Sequence, residues 1–388
     1  MPEKNICPDC LIPRWRHFIN WLEEFVDIFL PQKKFPKNLE TFFDFLLENL
    51  FVRPGFFQLR TDFTPKNVSW RSFLLLEALK SKHISCWGLK TSFGWANLFK
   101  VNLNGKSVFF EGLPFIEPGL DDKWQTKQIL AKNGFPVAQG ETFWFWQKRR
   151  ALEFSQRFGF PLVVKPRKGS VSRHVATGIK TVTELQAALN KVLAYSPDFI
   201  IERYLPDTFV YRATVIDYNF VAVSQQLPAN VIGDGKSTIK QLVEKKNQDP
   251  RRGRADQHEF IFAKILINET SEKLLANKNY SWQTILPEKE IFCLQKDSFV
   301  RLGGDIIEVS DQVHGENIKM FREIAKTFKA RVVGIDFLAK DVSKPWQEQK
   351  CAVLELNANP AFETHHFPIS GRPQNVAEKI ANMFIKYQ

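Results

Sequence analysis

Between Pro13 and about Leu50, apolar residues return at every third or fourth position. Trp15, Phe18, Trp21, Leu22, Phe25, Ile28 and Phe29 come first, then Leu39, Phe42, Phe43, Leu46, Leu47 and Leu50. That period belongs to amphipathic helices, and Pro31 and Pro36 divide the stretch into two of them. An aromatic stripe at helical spacing is a packing face before it is a ligand box, so residues 1–55 are expected to form an appended helical unit, with a docking surface as the alternative. From Phe56 to Pro118 the texture becomes mixed. Ser69 is placed to cap a helix running through Leu74, Leu75, Leu76 and Leu79, and Ile84 to Gly88 reads as a strand. Asn104-Gly105, flanked by alternating strands, is a hairpin signal because both residues tolerate positive φ. Residues 56–120 thus read as a small α/β region with no obvious chemical group.

Beyond Asp121 helices and strands alternate. Asp121-Asp122-Lys123 opens a helix that ends at Gly134; a second helix runs from about Gln147 to Phe158. The apolar strand Leu162-Val163-Val164-Lys165-Pro166 follows, with an ammonium at its exit. A strand lysine beside a loop is one way to hold nucleotide phosphates. The adjoining loop, Arg167 to His174, is basic and hydroxyl-bearing, which suits phosphate cover, although a solvated loop has a similar composition. A helix from about Thr183 to Tyr195 leads to the strand Asp198–Glu202 and the linker Arg203-Tyr204-Leu205-Pro206, the order expected where an adenine edge is read by backbone. Near the C-terminus come two more strands, Val332–Phe337 and Ala352–Asn357. Side chains alternate along a strand, so Glu355 and Asn357 share a face. If the two strands are neighbours, Asp336 joins them. Acids at strand ends are usually solvated; two carboxylates and an amide oxygen on one face instead suit Mg²⁺ held partly by a substrate's phosphates. His365 and His366 follow in what reads as extended chain, which would let at most one of them face the cleft.

Composition narrows the partner. Lys plus Arg number 54 against 42 Asp plus Glu, a net charge of +12. Such an excess attracts nucleotides, acidic metabolites, nucleic acid or anionic lipid. The basic residues are spread rather than clustered with stacking aromatics, which disfavours nucleic acid. No apolar stretch approaches the roughly 20 residues of a membrane span, and the first five residues lack the order of a secretion signal; a cytoplasmic location with no membrane partner is expected. The five cysteines are odd in number and scattered, which fits a reducing compartment. Cys7-Pro8-Asp9-Cys10 is half of a zinc-ribbon signature, and His17 would bring the count only to three. An unliganded N-terminal turn is the expectation on that count.

Taken in order, Lys123, Val164-Lys165-Pro166, Ile201-Glu202-Arg203-Tyr204-Leu205-Pro206, Gly233-Asp234-Gly235, Asp249-Pro250-Arg251-Arg252-Gly253, Gly334-Ile335-Asp336 and Glu355-Leu356-Asn357 resemble the motifs of the ATP-grasp superfamily. The segment Pro228–Gly253 is most similar to cyanophycin synthetases and to the ATP-grasp domain of bifunctional glutathione synthetases. The resemblance covers about residues 121–387. It implies an α+β fold in which two subdomains, 121–205 for the nucleotide and 206–388 for metal and substrate, grip ATP. It also implies a carboxylate–amine ligase that works through an acyl phosphate on a small amino-acid or peptide substrate. Carried over by position, Lys123, Lys165, Ser170 and Arg173 would contact phosphates, and Glu202, Arg203, Tyr204 and Leu205 would hold adenine. Asp336, Glu355 and Asn357 would ligate one or two Mg²⁺, with Mn²⁺ as the alternative ion. Arg212 and Arg301 would stabilise the transferred group, and a homo-oligomer is what such families suggest.

Departures from the pattern keep a second reading open. Asp207 stands where those families carry Gly, Val210 where an acidic residue would hold ribose, and Gln225 and Gln226 where two arginines are expected; Phe299-Val300-Arg301 replaces Asn-Leu-Ser. Lost positive charge near a transferred phosphoryl group costs catalysis. A nucleotide-binding protein with impaired turnover is therefore the alternative.

Overall fold

A computed structural model describes residues 7, 13–27, 46–117, 119–169, 174–254, 257, 259–296, 298 and 300–388. The expected helical stretch from Ile28 to Phe43, and Cys10, Ser170 and Arg173, lie outside the described residues. Helix α1 (Arg14–Asp27) buries His17 and stacks Trp21 on Phe25, but Trp15, Phe18, Ile19 and Leu22 are exposed. The stripe is therefore a packing face along one edge only. Leu47–Val52 form a wide turn in which the Arg53 N–H reaches the Glu48 carbonyl five residues back, at 2.9 Å.

The first sheet is an antiparallel meander of β1 (Gln58–Arg60), β2 (Ser85–Thr91), β3 (Gly94–Leu103) and β4 (Lys106–Glu111). Asn104 and Gly105, both at positive φ, join β3 to β4. Helix α2 (Trp70–Lys80) starts where Ser69 accepts from the Ser72 N–H. Leu75, Leu76 and Leu79 of α2 pack with Phe99 and Phe110 of the sheet and with Ile380 and Phe384 near the C-terminus, so the first sheet and the C-terminal helix share a core.

Helix α3 (Lys123–Lys132) leads into the second sheet, ordered β5-β8-β6-β7: β5 (Gly140–Trp144), β6 (Leu162–Pro166), β7 (Ala176–Ile179) and β8 (Asp198–Arg203). Helices α4 (Lys148–Phe158) and α5 (Val182–Leu193) close the core around Phe143, Leu162, Leu189 and Phe199. Gly140 is required where β5 meets β8, because a Cβ there would lie 2.2 Å from the Ile201 carbonyl oxygen.

The third sheet is also antiparallel. It contains β9 (Phe209–Ile216) and β10 (Phe220–Leu227), and a smaller layer departs from it. That layer holds β11 (Asn230–Ile232), α6 (Ile239–Asn247), β12 (Arg252–Gly253), β13 (Phe262–Ala263), α7 (Glu269–Asn277) and β14 (Ile291–Cys293). The sheet is completed by β15 (Asp305–Glu308), β16 (Val332–Ala339) and β17 (Cys351–Asn357), in the order β15-β10-β9-β16-β17. Helix α8 (Gly315–Thr327) covers one face through Met320, Phe321 and Ile324. The short α9 (Glu363–His366) and then α10 (Val376–Tyr387) finish the chain. Strands, separate antiparallel sheets and helices packed on their faces make this an α+β structure, as expected.

Candidate active site

Three neighbouring strands bring three charges into line. In register, Arg212 on β9 lies opposite Asp336 on β16, and Asp336 lies opposite Glu355 on β17. Arg212 grips Asp336 with two parallel bonds, from Nε to Oδ1 and from Nη2 to Oδ2 at 2.9 Å. This is the fork geometry that guanidinium and carboxylate share. Asn357, two residues beyond Glu355 and so on the same face, has its Nδ2 3.4 Å from Asp336 Oδ2. Gly334 keeps the approach open, since a Cβ would lie 2.8 Å from Pro360 and 3.3 Å from the Arg212 side chain. Burial, opposed by Arg212 and helped by the neighbouring Glu355 charge, pushes the Asp336 carboxyl up to about 6. Burial acts the same way on Glu355, but Lys123 first, then the bond to Asp336 and Arg212, outweigh it and hold that carboxyl below its usual range. Two desolvated carboxylates side by side favour a divalent cation between them, because each otherwise raises the cost of charging the other.

The opposing wall comes from α3 and the second sheet. Asp122 caps α3 by accepting from the N–H groups of Trp124 and Gln125, and it pairs with Arg167. That fixes Lys123 at the helix N-terminus, where the dipole already favours an anion. Lys123 Nζ stands 3.6 Å from Glu355 Oε2 and donates to the Gly169 carbonyl. One turn on, Lys127 donates to the Ala138 carbonyl at 3.0 Å and to Glu202, which also takes Lys165 at 2.7 Å. Glu202 is only 2 % exposed. Burial would raise its pKa, but the two ammonium groups outweigh that and lower it. Lys127, dominated by burial against the pull of Glu202, falls to about 8.

Two cavities meet at these strands. The smaller, about 490 Å³, is lined by Lys123, Lys165, Glu202, Tyr204, Leu205, Leu338 and Leu354. The larger, about 760 Å³, is lined by Arg212, Arg301, Arg254, Asn357, Arg71 and Trp70 among others. Gln226, Asp336 and Glu355 border both.

No protein-family model matches the chain. Cyanophycin synthetase of Trichormus variabilis is 35 % identical over 263 residues, which is 68 % of this chain and 29 % of that protein. The glutathione biosynthesis bifunctional protein of Listeria innocua is 33 % identical over 278 residues, 69 % of this chain and 34 % of that protein. The crystal structure of a bifunctional glutathione synthetase from Pasteurella multocida superposes with a TM-score of 0.60 at 24 % identity, covering 83 % of this chain and 45 % of that one. The chain has the ATP-grasp fold and is related in sequence to these ligases over about two thirds of its own length. It spans about a third of the length of the curated relatives named here.

Within this ATP-grasp chain, the structure brings together Lys123, Lys165, Glu202, Arg212, Asp336, Glu355 and Asn357. Arg301, in a short helical turn at Val300–Leu302, reaches the larger cavity from another side. Tyr204 and Leu205 line the smaller cavity, but the Arg203 side chain turns to the Gly159 carbonyl at 2.9 Å and over the Phe158 ring, and its backbone N–H goes to the Gln139 carbonyl at 2.8 Å. Asp207, where the resemblance implies Gly, adopts φ +57°, a conformation Asp tolerates better than most residues.

Sequence reasoning missed Lys127. Its spacing of four from Lys123 puts both on one helical face, and that was the available signal. It also missed Arg71 and Trp70, because residues 56–120, read as a scaffold without chemistry, supply a wall of the larger cavity. Arg71 donates to the Asn359 carbonyl at 2.8 Å and pairs with Glu363 at 3.3 Å. The reading of His365 and His366 as extended chain fails: both lie on α9. His365 is buried between Thr214 and Glu308, and His366 accepts from the Ala377 N–H. Arg252 is likewise committed, to Asp305 and the carbonyls of Ala263 and Gly303.

Proposed function

We propose that the chain uses ATP to join a carboxylate to an amine on a small amino-acid or peptide substrate. The observation that carries this reading is the pair Asp336 and Glu355, which borders both a cavity with two buried lysines and a larger one lined by four arginines. The smaller cavity suits a nucleotide. Leu205, Leu338 and Leu354 offer an apolar slot for a base, while Lys123 and Lys165 meet phosphates. The larger cavity, bordered by Arg71, Arg212, Arg254 and Arg301, suits carboxylate-bearing substrates.

The residues fit a hard divalent cation: Asp336, Glu355 and the Asn357 amide are adjacent, a turn of that amide, whose Nδ2 faces Asp336, would present its oxygen, and a carboxylate already bonded to Arg212 still has lone pairs to offer. Mg²⁺ or Mn²⁺ bound there would neutralise charge on the phosphates. The remaining work falls to the chain. Lys123 and Lys165 align the nucleotide, and Arg212, on the wall of the larger cavity, holds Asp336 where the two cavities join. A substrate carboxylate oxygen attacks the γ-phosphorus and ADP leaves. The amine nitrogen then attacks the acyl carbon, the C–O bond to phosphate breaks, and the amine gives up a proton.

A second reading, nucleotide binding with impaired turnover, is favoured by Gln226, which borders both cavities where the resemblance implies an arginine. One experiment separates them: ADP release with Mg²⁺ across a panel of carboxylate and amine pairs, alongside an ATP thermal shift. Release that needs both co-substrates and falls by roughly 10²-fold or more in Glu355→Gln supports the ligase. A thermal shift with no release for any pair supports the second reading, and neither signal sinks both.

A further inference from the structure

We propose that Cys7, His17 and His174 form a zinc site that fastens the N-terminal helix to the end of the basic loop beside the nucleotide cavity. The three side chains come from the N-terminal segment, from α1 and from the residue preceding β7 by two positions. One ligand atom from each lies within 4.8 Å of the others, and all three residues are buried, at 6 %, 6 % and 5 % exposure. For one sulfur and two nitrogens held 2.0 to 2.3 Å from a tetrahedral zinc, the ligand atoms stand about 3.3 to 3.6 Å apart, so the cluster needs to contract by about 1.5 Å at most. A thiolate with two imidazoles is a soft, nitrogen-rich set that selects Zn²⁺ over Mg²⁺, which separates this site from the oxygen ligands at Asp336. Three protein ligands leave one tetrahedral position open.

The surroundings hold the ligands in place. His174, at φ +56°, stacks on Tyr195 with centroids 4.3 Å apart, and His17 meets both rings edge-on at 5.1 and 5.4 Å. Tyr195 also closes against Gly169, where an added Cβ would lie 3.3 Å from its hydroxyl. The Gly169 carbonyl receives Lys123. A metal on His174 is thus linked through Tyr195 and Gly169 to a lysine of the nucleotide cavity. Binding would release the Cys7 thiol proton to solvent and involves no electron transfer. The competing account is three aromatic rings packed around a buried thiol, with no ion.

The test uses the full chain with any affinity tag removed, stripped by chelator and then given Zn²⁺ or Co²⁺. Wild type should retain about one Zn²⁺ per chain through gel filtration. Its Co²⁺ form should show a near-ultraviolet thiolate charge-transfer band that weakens or disappears in Cys7→Ser. Zn²⁺ affinity in His174→Asn should fall by more than the roughly 10- to 100-fold typical of outer-shell changes. Less than half an equivalent of Zn²⁺ in wild type, a Co²⁺ form without a thiolate band, a band unchanged in Cys7→Ser, or unaltered affinity in His174→Asn would each overturn the proposal. The wild-type measurements stand even if a variant fails to fold.

Discussion

Replacing Lys127 with Met removes one of two buried ammonium groups from a single buried carboxylate, and the consequence is a specific change in how stability depends on pH. In the folded chain, burial lowers Lys127 from 10.5 to about 8, against the pull of Glu202. A shift of that size corresponds to about 3 kcal/mol between the two protonation states. The unfolded chain keeps the proton up to 10.5 while the folded chain sheds it near 8. Between those values the unfolded state binds more protons, so this group makes the folded state more stable as pH rises. Below 8 both states are protonated and the contribution is flat. Urea unfolding followed by tryptophan fluorescence gives the stability of wild type and Lys127→Met at steps across this range. Groups away from Lys127, Glu202 and Lys165 titrate alike in both proteins, so the gap between them reports this triad. The gap should move in favour of wild type by about 3 kcal/mol over the range. If it changes by less than about 0.5 kcal/mol, within ordinary extrapolation error, Lys127 is not the strained member. If instead Lys165→Met removes the rise and Lys127→Met keeps it, the assignment within the triad is reversed.

Three further outcomes follow from single side chains. Arg212→Lys keeps the charge but loses the two-pronged grip on Asp336, so under the ligase reading kcat should fall by roughly 10²-fold with nucleotide affinity nearly unchanged; steady-state ADP release and ATP titration check this. His365→Ala leaves the buried Glu308 without its 2.6 Å partner and should cost about 3 kcal/mol in urea unfolding. Gly371→Ala would place a Cβ 2.0 Å from the Glu308 carbonyl oxygen at φ +90°, whereas Gly315→Ala at the start of α8 meets nothing within 4 Å. The first should destabilise by about 3 kcal/mol and the second should be neutral or stabilising by up to about 1 kcal/mol, as read from paired thermal melts.

Much of the local structure was written in short stretches of residues. Ser69 and Asp122 cap the helices their positions announce, Asn104-Gly105 makes its hairpin, and the alternation that put Glu355 and Asn357 on one face holds on β17. These features depend on neighbours within a few positions, where backbone sterics and side-chain period decide the outcome. The order of motifs from Lys123 to Asn357 also carried the fold, through resemblance rather than through physics read from the residues.

What neither period nor order could supply was convergence over long separations. Lys127 meets Glu202 at a distance of 75 residues in sequence, and Arg212 meets Asp336 at 124. The second pair follows from strand register, since β16 sits in the interior of its sheet and meets β9 in one register among many that satisfy the same local pattern, whereas the first depends on how α3 docks against β8. Arg71 reaches the larger cavity, and His174 reaches Cys7 and His17, through the docking of helices and loops on the sheets. The sequence determined which residues could be caps, strands and oxygen ligands. Only the packing of three sheets and the helices between them decided which charges would be buried together, because burial and pairing are properties of the assembled core and not of any segment in it.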